Sequence, residues 1–204
     1  MADLVTLDEY KDAENINTTK DDTRLSSLIA SVSQLVKTYC GNSIIDFYST
    51  NKTETFNIDW NSHIVQLTES PIVSIVSVET RGTYREAYAA ITTSAQEYFL
   101  DEKTDSIIRT DSGNNYRNWP RGPGAVRVVY KAGYASTPAD LKLAVFDLIT
   151  YYLKNEHKQR QTIAGASIQN QASTSQRNNV AFPDHIKRVL DLYCLLYTSD
   201  AADE

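Results

Sequence analysis

The sequence predicts an α+β protein in which helices at the two ends of the chain flank a β-rich block. Changes of hydrophobic period carry that reading. Leu25, Leu28, Ile29, Val32, Leu35, Val36 and Tyr39 recur at helical spacing. Between Ile44 and Tyr134 the apolar residues gather instead in short β-branched and aromatic clusters bounded by turn residues. After Gly133 a helical period returns. With 204 residues, 41% of them hydrophobic and 23% charged, the chain has ordinary globular composition and enough length to bury a core without metal or disulfide staples.

Taken in order, residues 6–14 suit a short helix with Thr6 as N-cap and Glu9 three residues on, the capping-box spacing that satisfies two free backbone donors. Thr19 and Asp22 repeat a cap-like spacing before the long stripe, and Gly41 closes it, since glycine adopts the left-handed conformation without a Cβ clash. These elements define an N-terminal helical region, 1–43. In the block 44–134 the clusters ETFNI, HIVQL, PIVSIVSV, EYFL, SIIRT and AVRVVY read as antiparallel strands. In the last, Val126, Val128 and Tyr130 alternate with Arg127, Val129 and Lys131, which predicts one buried and one wet face. The connecting RTDSGNNYRNWPRGPG is polar, rich in Gly and Pro, and expected at the surface.

The region 135–193 opens with Thr137 as expected N-cap, Pro138 at the first helical position and Asp140 completing the cap. The helix that follows carries two adjoining apolar stripes: Leu141, Ala144, Val145, Leu148 and Tyr152, then Phe146, Ile149 and Leu153. So wide an arc implies a second contact, either within the subunit or with a neighbour. Residues 158–181 are polar, free of acids and expected to form a flexible arm. A last short helix starts at Pro183 with Ile186, Val189, Leu190 and Tyr193 on one face. The final segment 194–204, CLLYTSDAADE, breaks that pattern. Its back-translation resembles the mosaic end and adapter of sequencing libraries, so it reads as a cloning scar, and without its three acids the net charge goes from −6 to −3.

Most chemistry is disfavoured. Cys40 and Cys194 are far apart with no CxxC, against a structural zinc, a cluster or a disulfide framework, and no cofactor is expected. Cys40 lacks an adjacent base to make it a nucleophile. His63, His157 and His185 are scattered, Gly122 and Gly124 precede a strand rather than a helix, and no GxSxG elbow occurs. Asp101, Glu102, Asp105 and Asp111 sit among polar residues and read as a solvated face rather than a glycosidase pair. No membrane span or signal peptide is present, so the chain is expected to be soluble and unexported. The charge of −6 disfavours nonspecific DNA binding.

Five segments occur in order: TLDEYKDAENI, DDTRLSSLIASVSQLVKTYCG, VQLTESPIVSIVSV, VRVVYKAGYASTPADLKLAVFDLITYYLKNE and FPDHIKRVLDLY. Together, over about residues 5–193, they resemble the head-tail connector, neck adaptor or head-completion family of long-tailed bacteriophages, in its longer subgroup with a β-domain inserted between helices. The resemblance implies a structural virion protein, not an enzyme. It would form a ring, usually of about twelve copies, beneath the portal vertex. Such a ring extends the DNA channel without binding DNA specifically and carries the stopper or tail-completion protein. Assembly would take place in the host cytoplasm and leave the protein in the virion neck. On this reading Phe146, Ile149 and Leu153 face a neighbouring subunit, and Arg160, Ile163, Ile168 and Arg177 dock the arm to the portal protein. Competing readings are a tail-completion or terminator protein, a DNA-binding packaging accessory using Tyr116, Arg117, Trp119 and Arg121, and a small hydrolase.

Overall fold

The computed structural model describes residues 2–93, 95, 97–113, 115–154, 160–163, 166–169 and 182–194, the segments 160–163 and 166–169 by backbone only. Its architecture is α+β. The chain divides into two units, one of Met1–Gly41 with Ser136–Glu204 and one of Asn42–Ala135.

The first unit holds α1 (Leu7–Ala13), α2 (Asp22–Cys40), α3 (Ala139–Leu153) and α4 (Asp184–Leu190). The Thr6–Glu9 capping box forms with both of its bonds. The other two expected caps do not. The helix α2 starts at Asp22, so its cap position falls on Asp21, which makes no side-chain cap bond. Asp22 instead pairs with Lys11 at 2.8 Å. Likewise α3 starts one residue late, after Pro138, and the Thr137 hydroxyl donates to the Leu4 carbonyl, tying the N-terminal segment to the helix entrance. Gly41 closes α2 at φ +71°. Leu25, Ile29, Val32 and Val36 of α2 are buried, as are Leu141, Val145, Leu148 and Ile149 of α3 and Ile186 and Leu190 of α4. Each is an apolar stripe at period 3.6 turned inward. Polar tips within this interior are paired: the Tyr10 hydroxyl meets Thr150 Oγ1 at 2.9 Å, and Tyr39 donates to Asp191 at 2.6 Å. Where the composition led us to expect no regular structure, β8 (Arg160–Ile163) and β9 (Ala166–Gln169) pair as an antiparallel hairpin.

The second unit contains β1 (Lys52–Ile58), β2 (Ile64–Gln66), β3 (Ile72–Thr80), β4 (Ala89–Ile91), β5 (Tyr98–Asp101), β6 (Ser106–Arg109) and β7 (Gly122–Ala132). Two antiparallel sheets result, ordered β1-β7-β3-β4 and β2-β6-β5. The alternation expected along β7 is present: Val126, Val128 and Tyr130 are fully buried, while Arg127, Val129 and Lys131 are half-buried. Both sheets feed one core, which includes Ile58, Val65, Leu67, Val78, Ile107, Trp119 and Tyr130. Trp119 is the departure from expectation. Its polar loop lies at the surface at Tyr116 and Arg117, but the indole is only 2% exposed and is among the largest side chains of that core.

A buried ionic cluster braces the start of this unit. Lys52 Nζ lies 2.9 Å from Glu54 and 2.7 Å from Glu69, and the second Glu69 oxygen accepts the backbone N–H and hydroxyl of Ser43 at 2.8 and 2.7 Å. Burial acts to raise the Glu54 carboxyl, but bonds from Lys52 and Thr68 outweigh it and hold the group below the usual carboxylate range. For Lys52 burial acts downward, and the bonds to Glu54 and Glu69 carry it above the usual lysine value. A depressed carboxylate contributes stability above its unfolded pKa and loses it as pH falls through the folded one; a raised lysine contributes below its unfolded pKa and loses it as pH rises through the folded one. Stability of this unit is therefore expected to be level from about pH 5 to 9 and to fall below about pH 4 and above about pH 10.5. Tryptophan fluorescence reads this directly, because Trp60 and Trp119, the only tryptophans, both belong to this unit. Glu54→Gln should flatten the acid limb.

Candidate assembly surfaces

The strand register sorts side chains by face, because partners directly opposite in an antiparallel pair point the same way. Val65, Ile107 and Leu100 are mutual partners across β2, β6 and β5, and Val65 and Ile107 are buried. Ile64, Ile108 and Phe99 are the next row and point to the opposite side, where Ile64 and Phe99 are exposed. An apolar row thus crosses the outer face of the small sheet. A second exposed pair lies on β3. Its register with β7 slips between Ile72 and Ser74 and again between Ile75 and Ser77, and the residues skipped, Val73 and Val76, are both exposed. Bulges commonly protect a sheet edge from unwanted pairing.

On α3 the two apolar stripes divide. Ile149 is fully buried within the free subunit, which removes it from any outward face. Phe146 is half-buried, with its ring centroid 5.9 Å from that of Tyr10, and Leu153 is half-buried. Leu143, outside both expected stripes, is 61% exposed. Its signal in the sequence was available, an apolar residue among polar positions on the solvent side of an already apolar helix. The backbone of Arg160, Ile163 and Ile168 lies in β8 and β9, and Arg177 and His157 lie outside the described residues.

The loop aromatics and arginines do not form one stacking platform. Tyr116 is exposed and its ring lies 4.7 Å from that of His63. Trp119 is in the core, and Arg121 donates to the Asp59 carbonyl at 3.0 Å. The acids of the neighbouring turns serve the backbone. Asp101 accepts from the Lys103 N–H and the Thr104 hydroxyl, Asp105 from Ser70 and the Ile72 N–H, and Asp111 from the N–H groups of Gly113 and Asn115. The Asn115 N–H above all, with its side chain, the Gly113 N–H and the more distant Arg117, holds the Asp111 carboxyl below its usual value against desolvation. Cys40 is buried with its sulfur toward the Leu190 carbonyl and 2.9 Å from the Cys194 sulfur; keeping the proton it shares with Cys194, and then burial, push the Cys40 thiol far up, away from nucleophilic character. Among the described residues, no group of three or more His, Cys, Asp or Glu could hold a metal ion, and no helix is long and apolar enough to cross a membrane.

Comparison with known proteins agrees with a role carried by surfaces. No curated protein matches the sequence. In fold the chain is similar to a protein in the neck of an empty gene transfer agent particle solved with sixfold symmetry, at TM-score 0.57 and 17% identity, with 94% of this chain and 89% of that one covered. A chain in the virion of the native gene transfer agent particle matches with the same TM-score, identity and coverage. A chain of the native particle's neck, solved with twelvefold symmetry, matches at TM-score 0.50 and 16% identity over 95% of this chain and 93% of that one. At these identities the likeness is one of fold. The family model described as "HCP: Head completion protein" matches residues 3–195, nearly the whole chain, and the protein belongs to that family.

Proposed function

We propose that this protein is a head-tail connector: a structural, non-enzymatic component of the virion neck that forms a ring beneath the portal vertex, extends the DNA channel and carries the stopper or tail-completion protein. The observation that carries this reading is the coincidence of a family match over residues 3–195 with full-length similarity of fold to neck proteins of gene transfer agent particles. Cyclic rings close through heterologous contacts, in which two different patches of the same chain meet. The exposed apolar positions supply candidates for such contacts: Leu143 on α3, the Ile64–Phe99 row on β2 and β5, and the Val73–Val76 pair on β3. The outward side of α3, with Leu143 beside Phe146 and Leu153, is the lateral contact, and Ile149 supports it from within.

Native mass spectrometry of a chain ending at Tyr193, over a concentration series, tests the reading. A ring of about a dozen copies is expected. A monomer at every concentration that also fails to bind portal protein rejects it. Leu143→Asp should abolish the ring while leaving the unfolding temperature of the subunit unchanged, since an exposed substitution costs within about 0.5 kcal/mol. Phe146→Asp should also disrupt the ring; loss of helical circular dichroism in that variant would assign Phe146 to the interior instead.

The acid-free arm, with Arg160, Ile163, Ile168 and Arg177, is the portal-docking element in this scheme. Deleting residues 161–178 should leave both units folded and abolish portal attachment in a pull-down; retained attachment would remove the arm from the contact.

A further inference from the structure

The small sheet, ordered β2-β6-β5, treats its two edges differently. The Arg109 N–H donates to the His63 carbonyl at 2.8 Å, and alternation along an antiparallel pair then turns the backbone groups of Ile64 away from β6. That edge is closed from within, because the Ser62 hydroxyl donates to the Ile64 carbonyl at 2.8 Å and accepts the Ile64 N–H at 3.2 Å. On the other side the Thr110 N–H donates to the Glu97 carbonyl at 2.9 Å. The same alternation commits Phe99 and Asp101 to β6 and turns the N–H and C=O of Tyr98 and Leu100 outward. Among the described residues no hydrogen bond meets these outward groups and no strand but β6 pairs with β5. Phe99 between them is 40% exposed, and Glu97, Asp101 and Glu102 against Lys103 leave the ends of the strand net acidic. An open apolar edge is a template for a further strand.

The same chain holds a sheet with too few strands. β8 and β9 pair only with each other, and a lone hairpin is marginally stable in water. Its register puts Gln161, Ile163, Ala166 and Ile168 on one face and Arg160, Thr162, Ser167 and Gln169 on the other. The ladder closes at Ile163 and Ala166, two residues apart, the spacing at which the flanking pair is hydrogen-bonded; Arg160 and Thr162 then turn their backbone groups away from β9. We propose that β8 of a second copy adds antiparallel to β5, with Thr162 opposite Leu100, extending the small sheet to the order β2-β6-β5-β8-β9 across two chains. That register joins the outward groups of both strands. It sets Ile163 opposite Phe99, so that the row of Ile64, Ile108 and Phe99 continues onto the apolar face of the hairpin, and it sets Arg160 opposite Glu102. Charge selects this occupant: residues 158–181 carry Lys158, Arg160 and Arg177 and no acid, against the acidic ends of β5. The inference rests on the ring reading, in which unlike patches of neighbouring copies meet. It engages Arg160 and Ile163 and leaves Ile168 and Arg177 to the portal.

The test combines native mass spectrometry with hydrogen exchange on the full chain, each over a concentration series. In assembled rings the backbone over 97–102 and 160–163 should exchange about tenfold or more slowly than in the monomer, both segments together. Thr162→Pro removes the N–H that meets the Leu100 carbonyl and should abolish the slowing at 97–102, whereas Thr162→Val should keep it. Glu102→Arg and Arg160→Glu should each raise the concentration at which rings appear by about fivefold or more, and the two together should restore it. Rings in which 97–102 exchanges as fast as in the monomer overturn the added strand and leave the ring reading standing. A chain that stays monomeric with and without portal protein overturns both. Slow exchange at 97–102 in the monomer that Thr162→Pro removes would put the hairpin on its own chain and overturn the second copy as occupant.

Discussion

Trp119→Ala is expected to destabilise the β-rich unit by about 4 kcal/mol, the upper range for removing a large aromatic from a core. The indole is 2% exposed, sits in the cluster shared by both sheets, and has the Arg109 guanidinium over its face. Its removal loses the transfer energy of the ring and leaves a cavity that sheets on two sides cannot collapse to fill, because paired strands resist local displacement. It also leaves Arg109 with one contact fewer and no new counter-charge. Trp60, the other tryptophan, is the control: being exposed, Trp60→Ala should cost less than about 0.5 kcal/mol. Urea denaturation followed by far-UV circular dichroism compares the two, with Trp60 fluorescence reporting the β-unit in Trp119→Ala. Because the chain divides into two units, the transitions should be fitted separately rather than as one two-state step. Comparable midpoints for the two variants would show that Trp119 contributes no more than an exposed ring.

How far the sequence foretold this molecule depends on the range of the interaction concerned. The Thr6–Glu9 box and the Gly41 cap are local, and both form as read. The α2 stripe and the β7 alternation depend on one element facing one interior, and period alone captured them. The caps expected at Thr19 and Thr137 failed by one or two residues of helix start, because a more distant partner, Lys11 or the Leu4 carbonyl, took the side chain concerned. The neighbours of Trp119 in sequence, Gly, Pro, Asn and Arg, read as a surface loop. What buries the indole is the core built by both sheets, which no window of sequence around it contains. The strand β4 is three residues long and mostly alanine, too short and too weak in β-propensity to stand out. The surfaces were the least legible. A wide apolar arc on α3 could be read, but whether Ile149 or Leu143 looks outward is decided by which elements of the same unit cover it. The Ile64–Phe99 row exists only through the inter-strand register.

Gly133→Ala should be the most damaging of the small substitutions, costing about 3 kcal/mol or more. Gly133 follows β7 with φ +96°, outside the region an L side chain adopts readily. A Cβ built on it would lie 2.3 Å from the Ile44 carbonyl oxygen and 3.1 Å from its carbon, so backbone rather than a pliable side chain would have to move. That backbone is committed: the Gly133 N–H donates to the Pro71 carbonyl and the Tyr134 N–H to that same Ile44 oxygen, each at 2.8 Å. Relief of the clash would therefore sacrifice a hydrogen bond or displace the end of β7, whose Tyr130 and Ala132 are buried. Gly41→Ala isolates the torsional part of the effect. Gly41 has φ +71° but nothing within 4 Å of its would-be Cβ, so the cost there should be about 1 kcal/mol. Urea titrations read by tryptophan fluorescence for the β-unit, and by circular dichroism at 222 nm for the helical one, should show Gly133→Ala lowering the first midpoint far more than Gly41→Ala lowers the second. Equal shifts would mean that the Ile44 carbonyl yields freely, and the close approach of these two backbones would then contribute nothing to holding the β-rich unit together.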